Sequence, residues 1–305
     1  MIILFSGENS MFIGLWLCFT LSKTSALIFS KLTSNRIGKK SVSDFARFLL
    51  INGLGACVFF LFLSKFQIKY SAATLLFAFI YAVIVILSLL QNVIAYRYIE
   101  ISNLNVIRNG GSMAMSSITG FLLFNEPCTL KTVLRIVLLF ATIFLIFLGS
   151  KKSETTKTEK KNGLIVGIIA LVSVVLAAAG SILLKYYAIT PTVTDTSSLF
   201  FLTNVILIVV TLFYLLLAPA RSTNNEQREK LTLSKMLIFL CNTFFSNVTS
   251  LLQALLIART DISVFSPLST AFGILSGVAA SLIFRERLKL FDWLAVSIAI
   301  IAIAI

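Results

Sequence analysis

The sequence predicts an all-α membrane protein with ten transmembrane helices arranged as two inverted five-helix repeats. Three observations carry that expectation. The 305 residues are 58% hydrophobic and only 12% charged, against roughly 25% charged in a soluble domain, and the mean hydropathy is +0.99. Apolar runs long enough to cross about 30 Å of hydrocarbon at about 1.5 Å per residue recur along the chain. Several landmarks return about 160 positions later.

The runs place helices at 2–26, 45–64, 71–96, 102–124, 128–149, 163–188, 197–218, 233–258, 262–284 and 290–305. Each is long and continuously apolar, whereas barrel strands alternate and are about ten residues long. The N-terminus lacks a basic n-region and an AxA-like site, so its apolar run reads as the first span. The tenth run keeps only about 16 residues, fewer than the ~20 a span needs. KKSETTKTEKKN at 151–162 is the only long charged break and reads as a solvated linker. It divides the chain into a first repeat at 1–150 and a second at 163–305.

SLLQNVIAYR (88–97) and SLLQALLIAR (250–259) lie 162 positions apart. Lys23 in LSKTSA and Lys185 in LLKYYA, each closing an apolar run, are again 162 apart. Phe124-Asn125-Glu126-Pro127 and Phe284-Arg285-Glu286-Arg287 follow at 160, which a two-residue deletion between Arg259 and Phe284 reconciles. Ordered landmarks at matching distances indicate an internal duplication. An odd number of spans per copy forces the second copy in upside down, an arrangement characteristic of secondary transporters.

With ten spans, the odd-numbered loops share one face that holds 20 Lys and Arg, while the other face holds 6. The basic face is expected in the cytoplasm, with the 151–162 linker there and both termini outside. The expected location is the bacterial cytoplasmic (plasma) membrane. The formal charge of +14 then reflects topology and not a nucleic-acid surface, because the lysines are spread over five loops. Histidine is absent and the four cysteines, Cys18, Cys57, Cys128 and Cys241, show no paired spacing. This removes the commonest metal ligand and general base. No cofactor is expected, and the chain does not read as an enzyme.

Arg108 is the most informative residue, about a turn and a half inside the fourth predicted helix in VIRNGGS. A charge at the centre of a span costs roughly 2.5–3.5 kcal/mol on insertion scales. Two readings stay open: snorkelling to the headgroups, or facing inward, where its planar fork suits a carboxylate or phosphate. Asn109 follows, then Gly110-Gly111, a weak point in a helix. Ser266-Pro267 breaks the mirror position in the ninth helix. Interruptions at matching places point to a transporter's binding site; simple kinks are the alternative. Small residues at a four-residue period, Ser269, Gly273, Gly277 and Ser281, and Ser112, Ser116 and Gly120, read as packing seams.

The eighth helix carries Asn242, Ser246, Ser250 and Gln253 on one face. The third offers Ser88, Gln91 and Asn92, and the seventh adds Asn204. Uncompensated amides in hydrocarbon are costly, so the stripe reads as the wall of a wet central cavity, with interhelical hydrogen bonding as the alternative. Glu8 lies in the first predicted span towards its outer end and is a candidate coupling group. Glu126 and Glu286 stand at helix boundaries, where each can favour the N-terminus of the next helix.

Two five-helix halves, the closing lysines and the junctions FNEPCTL (124–130) and FRERLKLFDWL (284–294) resemble the drug/metabolite transporter superfamily, EamA type. That family favours a glycine-glutamate-arginine-leucine-like junction before a final hydrophobic helix. Here Asn125 and Arg285 replace the glycine. Its members keep their termini in the cytoplasm, whereas the Lys and Arg count places them outside. The resemblance implies alternating access by a monomer's inverted halves around one central site. It leaves open which solute is moved: family members carry amino acids, nucleotide sugars, phosphorylated metabolites, choline or drugs.

The expected partners are a small-molecule substrate and the lipid bilayer, for a monomer or homodimer. The expected activity is secondary transport of a small polar organic metabolite, neutral to anionic. The alternatives are a proton-coupled exporter of lipophilic cations or amines using Glu8, and a non-transporting scaffold. Arg108→Ala is expected to abolish uptake of an anionic substrate while leaving membrane insertion intact, as read by uptake alongside membrane fractionation. Unchanged uptake removes Arg108 from the mechanism.

Overall fold

The computed structural model describes residues 7–36, 42–95, 101–151, 163–217, 233–284 and 290–305. These residues form an all-α protein: α1 (Gly7–Arg36), α2 (Val42–Leu63), α3 (Ala72–Ala95), α4 (Ile101–Leu123), α5 (Leu130–Lys151), α6 (Gly163–Ile189), α7 (Thr196–Leu217), α8 (Leu233–Arg259), α9 (Ile262–Ile283) and α10 (Leu290–Ala304). Among the described residues, 7 helices are long and apolar enough to cross a membrane: α1, α2, α3, α6, α7, α8 and α9. Large apolar side chains such as Phe62, Leu122, Phe213 and Leu216 stand exposed on the helices. So much outward apolar surface calls for lipid as its solvent. The chain is a helical integral membrane protein. The described part of α10 has 15 residues, about 22 Å of helix.

Nine helices begin and end within three residues of the positions read from the sequence. The exception is α1, which does not stop near 26 but continues to Arg36. The helix carries on through the polar quartet Ser22-Lys23-Thr24-Ser25. Thr20 and Thr24 each donate back to the carbonyl four residues earlier at 2.8 Å, and Lys23 finds acceptors on another helix. Lys23 therefore does not close a span. It lies at the middle of the apolar stretch Ile13–Thr33.

The chain forms two compact units, and each draws on both sides of the 151–162 linker. The first comprises Met1–Thr24, Ile84–Ile189 and Leu252–Ile305. Within it α4 packs on α9 and α6, and α5 packs on α10. Met113, Leu139, Ala271, Ile274 and Ala302 form a buried cluster there. Trp16 on α1 stacks on Phe265 and Phe272 of α9, with centroids 5.7 and 5.1 Å away.

The second unit comprises Ser25–Val83 and Thr190–Leu251. In it α2 packs along α7, Phe60 stacks on Phe200 at 5.2 Å, and Thr243 donates to Asn52 Oδ1 at 3.0 Å. Its α7 starts on a capping residue, Asp195, whose carboxylate accepts from the Ser198 N–H and hydroxyl at 3.1 and 2.9 Å, as N-caps do.

The expected helix interruptions are absent. α4 runs unbroken through Gly110-Gly111, and α9 runs through Pro267. Packing explains the second glycine, because a Cβ on residue 111 would overlap both γ-methyls of Val174 on α6. Gly111→Ala is expected to lower the detergent unfolding midpoint, with an overpacking cost of about 1–3 kcal/mol. Adding Val174→Ala should restore much of that loss, and thermal unfolding of the single and double variants measures it.

Candidate functional site

The first unit brings together a polar cluster from α1, α4 and α9. The Lys23 ammonium donates to the Ser269 carbonyl at 3.0 Å and to its hydroxyl at 3.4 Å, and it stands 5.2 Å from the centre of the Phe19 ring. Arg108 precedes Asn109 on α4. Gly273 lies between two donors: its missing Cβ would fall 3.0 Å from Lys23 Nζ and 3.1 Å from Asn109 Nδ2. Asn109 is positioned through its main chain, whose carbonyl accepts from the Thr270 hydroxyl on α9 and the Ser112 hydroxyl, each at 3.1 Å.

The neighbours of Lys23 solvate its charge without neutralising it. A carbonyl, a hydroxyl and an aromatic face are dipoles or quadrupoles. Among the described residues no carboxylate comes within ion-pair distance of it. The α9 small-residue ladder thus begins as a polar contact at Ser269 and Gly273. At Gly277 a Cβ would meet nothing within 4 Å, and the side chain of Ser281 lies outside the described residues.

Lys185, 162 positions on, has a different setting. It donates to the Thr260 carbonyl at 2.8 Å and stands 3.8 Å from Glu126 Oε1. Glu126 is buried and accepts from the N–H groups of Ile262 and Ser263 at 2.7 and 2.8 Å. It caps the N-terminus of α9, whereas the sequence pointed to the next helix, α5. Asp261, at the cap position itself, makes no side-chain capping bond. The backbone delivers Glu126 there through Asn125 at φ 51°, the left-handed conformation that asparagine tolerates better than most non-glycine residues. This accounts for an asparagine at position 125.

Of the residues predicted for the site, Arg108 and Asn109 belong to the Lys23 cluster. Gln91 is buried and fixed to α6: it donates to the Ile169 carbonyl at 3.1 Å and accepts from Ser173 at 3.2 Å. Gln253 donates to Ser181 on the same helix at 3.2 Å. Ser88 is half-buried on α3 of the first unit. In the second unit Asn204 donates to its own helix at Phe200, 2.8 Å away, and Ser250 donates to the Ser246 carbonyl at 3.0 Å. Asn242 is buried there, and its Oδ1 has no hydrogen-bond partner among the described residues. The side chains of Asn92 and Glu8 lie outside the described residues, as does Glu286. Sequence reading missed Lys23 as a site residue. The available signal was the apolar Ala26-Leu27-Ile28-Phe29 beyond it, which lets the helix continue.

No known family profile matches the chain, and no curated protein matches it. Among solved structures, 28 chains are similar. One of them, described as "Crystal structure of protein", superposes with a TM-score of 0.66 at 12% identity, covering 95% of each chain. At that identity the likeness establishes the fold.

Removing the Glu126 charge strands a partly buried Lys185 and weakens the cap of α9. Charged hydrogen bonds of this kind contribute roughly 1.5–3 kcal/mol each. Glu126→Gln is expected to cost about 2 kcal/mol or more, read as a drop in the detergent unfolding midpoint. Adding Lys185→Met should recover part of it by removing the orphaned cation.

Proposed function

We propose that the protein is a secondary transporter of the EamA-type drug/metabolite kind, built from ten transmembrane helices as two inverted five-helix repeats. It moves a small polar organic metabolite, neutral to anionic, by alternating access. The observation that carries this reading is an ammonium at the middle of an apolar span, whose contacts among the described residues are all neutral groups. Ionisable residues at that depth mark solute or ion pathways far more often than structural positions.

The inverted repeat draws support from the pairing of helices. α2 with α7, α4 with α9 and α5 with α10 are each five elements apart, and each pair is in contact. A pseudo-twofold relation between copies produces such pairs. The Lys23 ammonium disfavours the alternative substrate, a lipophilic cation, which it would repel.

Reconstitution tests the reading. Proteoliposomes containing the protein are expected to take up at least one labelled solute from a panel of neutral and anionic metabolites, above protein-free vesicles. Sealed, correctly loaded vesicles that move none of them leave a non-transporting scaffold as the surviving account.

A further inference from the structure

We propose that Lys131 and Arg135, on the first turns of α5, form a binding site for the headgroup of an anionic phospholipid. The site lies on the outer surface of a helical membrane protein and is independent of the transporter reading.

Three observations converge. The first is unmet charge. Lys131 and Arg135 are four residues apart on α5, so they share one helical face, with Cβ atoms about 5–6 Å apart. Like charges at this spacing destabilise a helix. Among the described residues no hydrogen bond or ion pair engages either side chain. The carboxylate nearest in sequence, Glu126, is taken up by the N–H groups of Ile262 and Ser263 and stands beside Lys185.

The second is the setting of the guanidinium. Arg135 is half-buried, and its Nε is buried without a hydrogen-bond partner among the described residues. A charged donor covered in this way is costly without an acceptor. The protein supplies none at the inner edge, so neutralisation falls to a group that reaches the outer edge from the medium. That edge is a planar fork suited to two phosphate oxygens. Lys131, one turn nearer the helix start, adds a point charge. The turn that carries it is fixed by Thr129 and Thr132, whose hydroxyls bond at 2.8 Å, so a ligand has little order to impose there.

The third is placement. Leu130, Leu134 and Val137 are 85, 43 and 57% exposed and form one apolar stripe along α5. Thr132, Ile136 and Leu139 turn the opposite side into the protein. The two cations lie on the flank between stripe and buried side. Acyl chains can follow the stripe while the phosphate meets the cations. Arg135 is only about 7–8 Å along the helix from Leu130, within snorkelling reach of the headgroup layer. With ten spans the pair falls on the face that holds 6 Lys and Arg, so the bias that gathers cations on the other face does not explain it.

The test uses the full chain in neutral detergent. It is titrated with short-chain phosphatidylglycerol and, separately, with short-chain phosphatidylcholine, and the unfolding midpoint is followed. A saturable upward shift is expected with phosphatidylglycerol and a much smaller one with phosphatidylcholine, whose own ammonium offsets its phosphate. Arg135→Gln weakens the apparent phosphatidylglycerol affinity roughly tenfold and Lys131→Gln about fivefold. Arg135→Lys keeps the charge but not the fork, and falls between wild type and Arg135→Gln. Lys69→Gln, at an exposed lysine of the second unit, leaves the affinity unchanged.

Equal shifts with the two lipids overturn the proposal. So does equal phosphatidylglycerol affinity in wild type, Lys131→Gln and Arg135→Gln. An equal loss in Lys69→Gln marks general charge attraction and also overturns it. Glycerol phosphate binding as tightly as the lipid, with the same dependence on Arg135, marks a soluble-anion site and overturns the lipid assignment. If Arg135→Gln does not fold, Lys131→Gln and Arg135→Lys carry the comparison.

Discussion

Hydrocarbon has no water to give an ammonium, and Lys23 sits midway along an apolar stretch of α1. Whatever solvates it must come from protein. That requirement ties α1 to α9, because the acceptors are the carbonyl and hydroxyl of Ser269. A Cβ at 273 would stand 3.0 Å from Lys23 Nζ and 3.1 Å from Asn109 Nδ2, so a side chain there would push both ends aside by a few tenths of an ångström. Asn109 in turn links α4 to α9 through Thr270. Polar contacts thus tie both α1 and α4 to α9 in the first unit. The Trp16 stacks on Phe265 and Phe272 reinforce the α1–α9 contact on its apolar side.

A second fixed point lies where α4 ends and α9 begins. Glu126 satisfies two of the N–H groups that every helix start leaves without intrahelical partners, and its charge suits the positive end of the helix dipole. Gly120 makes the approach possible: a Cβ there would fall 2.5 Å from Glu126 Oε2 and 2.8 Å from Ile262 Cγ2. Glu126 and Gly120 therefore act together, one supplying the charge and the other the room. Lys185 completes the arrangement by binding the Thr260 carbonyl, one residue before Asp261.

Most helices were legible because a span must be apolar without interruption, and their ends fall where polar residues cluster. The same rule misplaced the end of α1. Ser22-Lys23-Thr24-Ser25 looks locally like a boundary, and the partner that lets Lys23 stay inside lies 246 residues away. Likewise Gly110-Gly111 and Pro267 read as breaks, yet the glycine at 111 answers to the bulk of Val174, a long-range contact that local pattern does not carry. Arg108 and Asn109 could be singled out because polar groups inside an apolar run are rare. Gln91 and Gln253 were equally visible, but their destination on α6 was not. Residue type announces that a buried amide needs a partner without saying which one.

Lys23 and Lys185 also bear on ancestry. Two identical half-length chains, inserted in opposite directions and paired about a twofold axis, must give their equivalent lysines the same neighbours. A fused chain is free of that symmetry. Under the proposed duplication, one lysine came to stand beside a carboxylate while its twin, among the described residues, meets a carbonyl, a hydroxyl and a ring face. Covalent joining of the halves is what permits such a division of labour, and no symmetric ancestor could have held both states at once.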